Sequence, residues 1–302
     1  MYDRILVPLD GSEIAEQVLP YVKLLARPGK SPITLLRVIE PIPYDFIAVA
    51  VRVPVGEVNA DILANAQKYL EERSAPLREE DLTVSVKALS GPAATCIVEE
   101  GAREPGTLIA MSTHGRSGIA RWAFGSVTDK VIQTANDPLL IIRPSNELAP
   151  DSEVAIDNVI VPLDGSELAE QILPHVAYLA KSLDLSVTLL RVTPSVGDYY
   201  RFMDYPIPEY DDLPEQMDAE ALKYLENQGK WLRQQGVSRV EERLSHGPPA
   251  IAVTDFAREM SNNLVAMTTH GRSGVGRWIL GSVADRVIRH SGGPVLVVRA
   301  TE

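Results

Sequence analysis

The sequence predicts an α/β protein of two tandem doubly wound domains, each a five-stranded parallel sheet with helices on both faces. Three observations predict it. First, the chain repeats itself at domain length. Val7-Pro8-Leu9-Asp10-Gly11-Ser12-Glu13 returns as Val161-Pro162-Leu163-Asp164-Gly165-Ser166-Glu167, Thr34-Leu35-Leu36-Arg37-Val38 as Thr188-Leu189-Leu190-Arg191-Val192, and Gly91-Pro92 as Gly247-Pro248. The offset is 154 residues at Asp10/Asp164 and 156 at Gly91/Gly247, so the halves align almost without gaps, at a period too long for a solenoid. Second, short apolar β-prone runs alternate with stretches of helical periodicity. Third, several of those runs are apolar at every position, as strands are when both faces are covered. Right-handed crossovers then wind each sheet outward from its middle.

In the first half, Arg4 to Leu9 reads as the first strand and Asp10-Gly11-Ser12 as a turn. Ser12 is placed to cap a helix whose apolar positions, Ile14, Ala15, Val18, Leu19, Val22 and Leu25, recur at helical spacing. Pro20 kinks that helix or ends its first part, and Arg27-Pro28-Gly29 stops it. Ile33 to Ile39 is the second strand. Glu40 to Gly56, rich in Pro and bulky apolar groups, reads as a long loop or lid, and Val58 to Leu77 as a helix. Leu82 to Leu89 is the third strand, and a helix opened by Pro92 spans Ala93 to Arg103. Leu108 to Met111 is the fourth strand. A Gly-rich loop follows, then a helix from Ser126 to about Ala135, a break at Asn136-Asp137-Pro138, and a fifth strand from Leu139 to Ile142. These readings divide the chain into domains 1–145 and 156–302, joined by a polar, acidic linker, 146–155. The second half repeats the order. Its middle loop, Thr193 to Pro214, is longer and carries Tyr199, Tyr200, Phe202, Tyr205 and Tyr210, which could cover a base or an interface or pack on themselves.

A length of 302 residues suits two domains, and 45% hydrophobic with 23% charged residues is the mix of a soluble globular protein. The formal net charge of −12 argues against nucleic acid or an anionic membrane as partner. Cys96 is the single cysteine, so an intrachain disulfide and a cysteine-rich zinc site are excluded; on an apolar helix face it is expected to be buried and inert. The stretch Met1 to Val7 lacks the apolar region of a signal peptide, and no run reaches membrane-span length, so a cytoplasmic protein is expected.

The chemistry concentrates in a duplicated loop. Ser112-Thr113-His114-Gly115-Arg116-Ser117-Gly118 with Gly125-Ser126 recurs as Thr268-Thr269-His270-Gly271-Arg272-Ser273-Gly274 with Gly281-Ser282. Each copy lies between an apolar strand and a helix, where free N–H groups and a hydroxyl hold phosphate well. Glycines admit phosphate oxygens to the backbone, and Arg116 and Arg272 could pair with them in a bidentate way. Ser126 and Ser282 are expected as helix N-caps with phosphate contact as an added role. Asp10 and Asp164 also follow strands directly, so they share the carboxyl edge of the sheet, where ligands bind at the reversal of strand order. Asp10 equally serves to close its turn with Ser12. His114 and His270 read as loop-shaping donors, Arg121-Trp122 and Arg277-Trp278 as loop packing, and Met111 and Met267 most simply as core.

The spacing Gly115, nine residues, Gly125-Ser126 with Asp10, and its copy Gly271, nine residues, Gly281-Ser282 with Asp164, resembles the universal stress protein family. The ATP-binding branch of that family carries Gly-x2-Gly-x9-Gly-Ser/Thr after strand four. The resemblance covers essentially the whole chain twice, including the closing strands Pro138 to Ile142 and Pro294 to Val298; it departs at the first glycine, which is Ser112 in one copy and Thr268 in the other. It implies a Rossmann-like universal stress protein fold and ATP as cofactor, with Mg²⁺ able to accompany the phosphates. By the same resemblance Asp10 and Val38 contact adenine and ribose, Met111 walls the site, and Ser112, Gly115, Arg116, Gly125, Ser126 and Val127 surround the phosphates. The second set is Asp164, Val192, Met267, Thr268, Gly271, Arg272, Gly281, Ser282 and Val283. The function implied is a nucleotide-dependent regulatory or stress-response module with a protein partner of unknown identity. A slow nucleotide hydrolase or transferase and a protein-interaction module without nucleotide are the alternatives; no general base or paired carboxylates accompany the loops, so fast phosphoryl transfer is not indicated. The family habit of pairing last strands implies an intrachain pseudo-dimer through Leu139 to Ile142 and Val295 to Val298, with a further homodimer left open.

Overall fold

The structure, a computed structural model, describes residues 2–40, 55–113, 125–144, 152–194, 213–271 and 280–301. The chain divides into two units, Met1–Val154 and Ala155–Glu302. The first contains β1 (Arg4–Pro8), α1 (Glu13–Glu16), α2 (Leu19–Gly29), β2 (Ile33–Ile39), α3 (Val55–Glu79), β3 (Val84–Ser90), α4 (Ala93–Gly101), β4 (Thr107–Ser112), α5 (Ser126–Thr134) and β5 (Leu139–Ile142). Its strands lie in the order β3-β2-β1-β4-β5, every neighbouring pair parallel. The chain starts at the middle strand, winds outward to β3, then returns to the far side of β1 at β4. The order therefore reverses between β1 and β4.

The second unit repeats this plan with β6 (Asn158–Pro162), α6 (Glu167–Glu170), α7 (Leu173–Leu183), β7 (Ser186–Thr193), α8 (Leu213–Gln234), β8 (Val240–His246), α9 (Pro249–Glu259), β9 (Asn263–Thr268), α10 (Ser282–His290) and β10 (Val295–Val298). Its order is β8-β7-β6-β9-β10, again parallel throughout, with the reversal between β6 and β9. Hydrophobic burial explains which strands are central. Ile5, Leu6, Leu108 and Ile109 are at most 1% exposed, each contributing about 1.5–3 kcal/mol. β3 and β8 carry half-exposed and exposed positions, none of them buried, and end their rows.

Several elements refine or depart from the sequence reading for identifiable reasons. Of the two outcomes expected at Pro20 the second is found: the helix after Ser12 is two helices, and Pro20 occupies the first turn of α2, where its missing N–H costs no hydrogen bond, as Pro174 does for α7. The helix does stop at Arg27-Pro28-Gly29, Gly29 being the last residue of α2. Pro28 lies inside its last turn, and Lys30, a left-handed residue (φ 48°) whose N–H reaches Ala26 O, caps it; Asp184 (φ 52°) is its counterpart. Helix α3 begins at Val55, ahead of Val58, and keeps Pro76 inside. Thr193 belongs to β7 and α8 starts at Leu213, so the aromatic run from Tyr199 to Tyr210 lies outside the described residues, as do residues 41–54 of the expected lid. Cys96 is half-buried rather than buried, and burial pushes its thiol up, away from reactivity. No helix among the described residues is long and apolar enough to cross a membrane.

At the amino edge of the first sheet sits a buried ionic cluster. The Arg4 guanidinium donates to Glu100 O (2.6 Å) and to Thr107 Oγ1 (3.1 Å). The Glu100 carboxylate lies 3.5 Å from Arg4, 2.7 Å from Lys87 Nζ and 3.1 Å from Arg103. Arg4 and Glu100 are each 4% exposed. Asn158 holds the matching place in the second unit, where Ser186 and Thr188 donate to its Oδ1 at 2.9 and 3.2 Å.

Candidate functional site

The carboxyl edge is built around the two Asp-Gly-Ser turns. Asp10 Oδ1 accepts from the Ser12 amide (3.0 Å) and hydroxyl (2.6 Å), and Ser12 Oγ in turn accepts from Ala15 N (3.1 Å), capping α1. The second copy is nearly identical: Asp164 Oδ1 accepts from Ser166 at 3.0 and 2.6 Å, and Ser166 Oγ from Ala169 N at 3.2 Å. The turn-closing role of the aspartates is thus present in both units. Ser12→Ala or Ser166→Ala should lower stability by about 1 kcal/mol, as lost caps do, measured by denaturant unfolding; an unchanged midpoint would remove the cap from the balance.

The loops after β4 and β9 are tied at their ends. Gly125 N donates to Thr113 O at 2.8 Å, and Gly281 N to Thr269 O at 3.0 Å. These bonds hold Gly125 (φ −60°, ψ 140°) and Gly281 (φ −60°, ψ 145°) in extended conformation as the N-cap residues of α5 and α10. Ser126 and Ser282 are therefore first helical residues, not N-caps. Neither helix has a side-chain cap, so their first-turn N–H groups remain to be satisfied from outside the helix. The hydroxyls at the departing glycine positions are used differently. Thr268 Oγ1 donates to His270 O (2.7 Å), which turns it into its own loop. Ser112 is buried and its Oγ has no hydrogen-bond partner.

In the second unit these parts enclose one cavity of about 670 Å³, a size suited to small-molecule ligands. It brings together Asp164, Val192, Met267, Thr268, Gly271, Gly281, Ser282 and Val283, with Gly247 and Pro248 on one side. Arg272 lies outside the described residues. A Cβ on Gly271 would run into the Asp164 carboxylate, so the missing side chain lets the loop close on the turn. His270 also lines this cavity, its Nδ1 3.0 Å from Thr269 Oγ1, in keeping with a loop-shaping role. Burial first, then Arg299, holds its imidazole below the usual value.

In the first unit a cavity of about 580 Å³ brings together Asp10 and Val38 with Arg37, Asn65 and Tyr69. Met111, Ser112, Gly125, Ser126 and Val127 are not among its lining residues; Met111 is 5% exposed, a core position. Gly115 and Arg116 lie outside the described residues, as does His114. Thr128 Oγ1 donates to Ser112 O at 3.0 Å and fixes α5 to the end of β4.

One duplicated feature has no place in the motif reading. Arg37 stacks on Tyr69 with its guanidinium carbon 4.7 Å from the ring centre, and Arg191 stacks on Tyr224 at 5.2 Å. Both arginines line the cavities. Burial, then the neighbouring carboxylate of Glu16 or Glu170, raises both phenols. The signal was in the sequence: Arg37 and Arg191 end the repeated Thr-Leu-Leu-Arg stretch, and Tyr69 and Tyr224 recur one residue out of step with it. Among the described residues, no group of three or more His, Cys, Asp or Glu side chains is arranged to hold a metal ion.

Comparison with known proteins gives a consistent pattern. The sequence model of the universal stress protein family matches residues 1–143 and 155–299. A universal stress protein of Mycolicibacterium smegmatis is 25% identical over 305 aligned residues, covering 98% of this chain and 96% of its own. Universal stress protein MJ0531 of Methanocaldococcus jannaschii is 29% identical over 155 residues, 51% of this chain and 88% of its own. Among solved structures, a universal stress protein from Archaeoglobus fulgidus is similar with a TM-score of 0.67 at 21% identity, covering 99% of both chains, a likeness of fold.

Proposed function

We propose that this chain, which belongs to the universal stress protein family, is a nucleotide-dependent regulatory module of the stress response that holds ATP at the carboxyl edges of its sheets. One observation carries the reading: eight residues drawn from four separate stretches of the second half line a single cavity at the reversal of strand order. The residues fit a nucleoside triphosphate. Helix α10 opens toward that cavity without a side-chain cap, Ser282 stands in its first turn, and a Cβ on Gly281 would fill space 2.9 Å from Thr269 O. Phosphate satisfies such first-turn amides and is favoured by the helix dipole. Gly271, Gly281, Ser282 and Val283 would hold the phosphates, with Asp164, Val192 and Met267 at the nucleoside end. Asp10 and Val38 would do the same in the first unit with Gly125, Ser126 and Val127. Bound Mg²⁺ would arrive through the phosphate oxygens, where it neutralises their charge.

A regulatory module needs a protein partner that reads its ligand state, and a lone, half-buried cysteine with an unactivated thiol suits the reducing cytoplasm. Acid extraction of the purified protein, followed by mass spectrometry, tests the reading. ATP in the extract supports it, and ADP with turnover moves the assignment to a hydrolase. An empty extract, with no calorimetric binding of added ATP, ends it.

A pH dependence follows from His270. The free protein holds this imidazole below the usual value, by burial and then by Arg299. A triphosphate beside it would raise that value, so binding takes up a proton, and affinity rises as pH falls through the raised value and declines above it. Calorimetry near pH 6 in two buffers of different ionisation heat should read this uptake, and His270→Ala should remove it. Identical heats in both buffers would take His270 away from the ligand.

A further inference from the structure

We infer that Arg37 and Arg191 determine base specificity, each donating to a ring nitrogen of the nucleotide bound in its unit, an assignment that rests on the nucleotide reading above. The two cavities have largely different walls. Aligned on the repeat, they share Asp10 with Asp164, Arg37 with Arg191, Val38 with Val192, and Glu40 with Pro194. The last pair differs in chemistry. The first and third pairs were expected at the nucleoside end, so the arginine is the one chemically kept position with no assigned task.

Strand geometry decides which end of the ligand it meets. Arg37 stands on β2 and Arg191 on β7, one strand beyond β1 and β6. The loops expected to take phosphate follow β4 and β9, on the opposite side of those central strands. Two strand spacings, about 10 Å, separate the arginines from the phosphate side. They face the nucleoside.

The cation is also held in place before any ligand arrives. Its flat face rests on Tyr69 or Tyr224. The Tyr69 hydroxyl is fixed in turn by donating to Glu16 Oε1 at 2.7 Å. Gly11 (φ 83°) and Gly165 (φ 82°) also lie against the cation, for a Cβ there would run into the guanidinium in either unit. The Asp-Gly-Ser turn therefore needs glycine twice over, for its left-handed backbone and for the arginine beneath it.

A guanidinium only donates hydrogen bonds and a carboxylate only accepts them. Arg37 beside Asp10, and Arg191 beside Asp164, match a base edge that sets an acceptor nitrogen next to a donor. Adenine has such edges, with N7 or N1 next to its amino group. A charge-assisted bond of this kind changes affinity about ten- to a hundredfold.

The test uses the full chain, wild type and the Arg37→Met/Arg191→Met and Arg37→Lys/Arg191→Lys variants. ATP, 1-deaza-ATP, 7-deaza-ATP and inorganic triphosphate are titrated by calorimetry. Wild type should bind one deaza analogue about ten- to a hundredfold more weakly than ATP. The Met variant should bind ATP at that weakened level and no longer distinguish the analogue, with inorganic triphosphate unaffected. The Lys variant, which keeps the charge but not the fork, should fall between. Equal binding of every analogue by wild type overturns the inference alone, as does a Met or Lys variant that loses inorganic triphosphate as much as ATP. Failure of ATP to bind wild type overturns both this inference and the nucleotide reading.

Discussion

Gly281→Asp should abolish nucleotide binding by the second unit and halve the nucleotide recovered per chain when both units are loaded. The expected loss of affinity there is a hundredfold or more, on the order of 3 kcal/mol. Two effects combine. A Cβ at this position would stand 2.9 Å from Thr269 O, a backbone atom that cannot swing aside. The carboxylate would also put negative charge at the start of α10, where the amides await an anion, and would satisfy them itself. Aspartate is a good N-cap residue, so the helix gains about what the crowding costs. The variant should therefore stay folded while losing ligand, which separates a ligand effect from collapse. Gly281→Ala keeps the crowding without the charge and should lose less affinity. Nucleotide content after acid extraction, with thermal melts alongside, reads both quantities. Undiminished nucleotide in the Asp variant would move the phosphates elsewhere.

Glu100→Ala should be strongly destabilising, at about 3 kcal/mol for the first unit, the low end for a stranded buried charge because Glu104 still faces Arg4. Its carboxylate is 4% exposed and faces three cations, Arg4, Lys87 and Arg103. Lys87 and Arg103 are a third or more exposed and can turn to water, but Arg4 cannot. Removing the carboxylate leaves that guanidinium buried with Glu104, 2.9 Å away but 61% exposed, as its remaining counter-charge. Replacing the pair together, as Arg4→Met/Glu100→Leu, should cost far less than Glu100→Ala alone, because no charge is then stranded. Denaturant unfolding of the full chain should show the first unit melting earlier while the second holds. The cluster lies at the amino edge, remote from the carboxyl edge, so ligand affinity measured in the folded protein should not change. A loss below 1 kcal/mol would mean that Glu104 or water suffices to hold the Arg4 charge.

The sheets were legible because their determinant is local. Runs such as Leu108-Ile109-Ala110-Met111 and Leu139-Leu140-Ile141-Ile142 have no polar alternate position, and both are buried along their length. The duplicated loop was legible for a similar reason, since its glycines and serine lie within one short stretch. What escaped depended on contacts between stretches. Ser126 reads as an N-cap by residue type, yet the bond from Gly125 N to Thr113 O moves the cap one residue earlier. The Arg37–Tyr69 stack joins a strand to a helix whose separate periodicities carry no trace of each other, and only comparison of the two halves exposes it.

The bond between Gly281 N and Thr269 O, like that between Gly125 N and Thr113 O, closes a ring in the chain. Strand and helix are then anchored whatever lies between the clasped residues. Lengthening a closed ring costs only about 0.6 kcal/mol for each doubling. Sheet and helix therefore keep their register through these two bonds rather than through the length of chain that joins them.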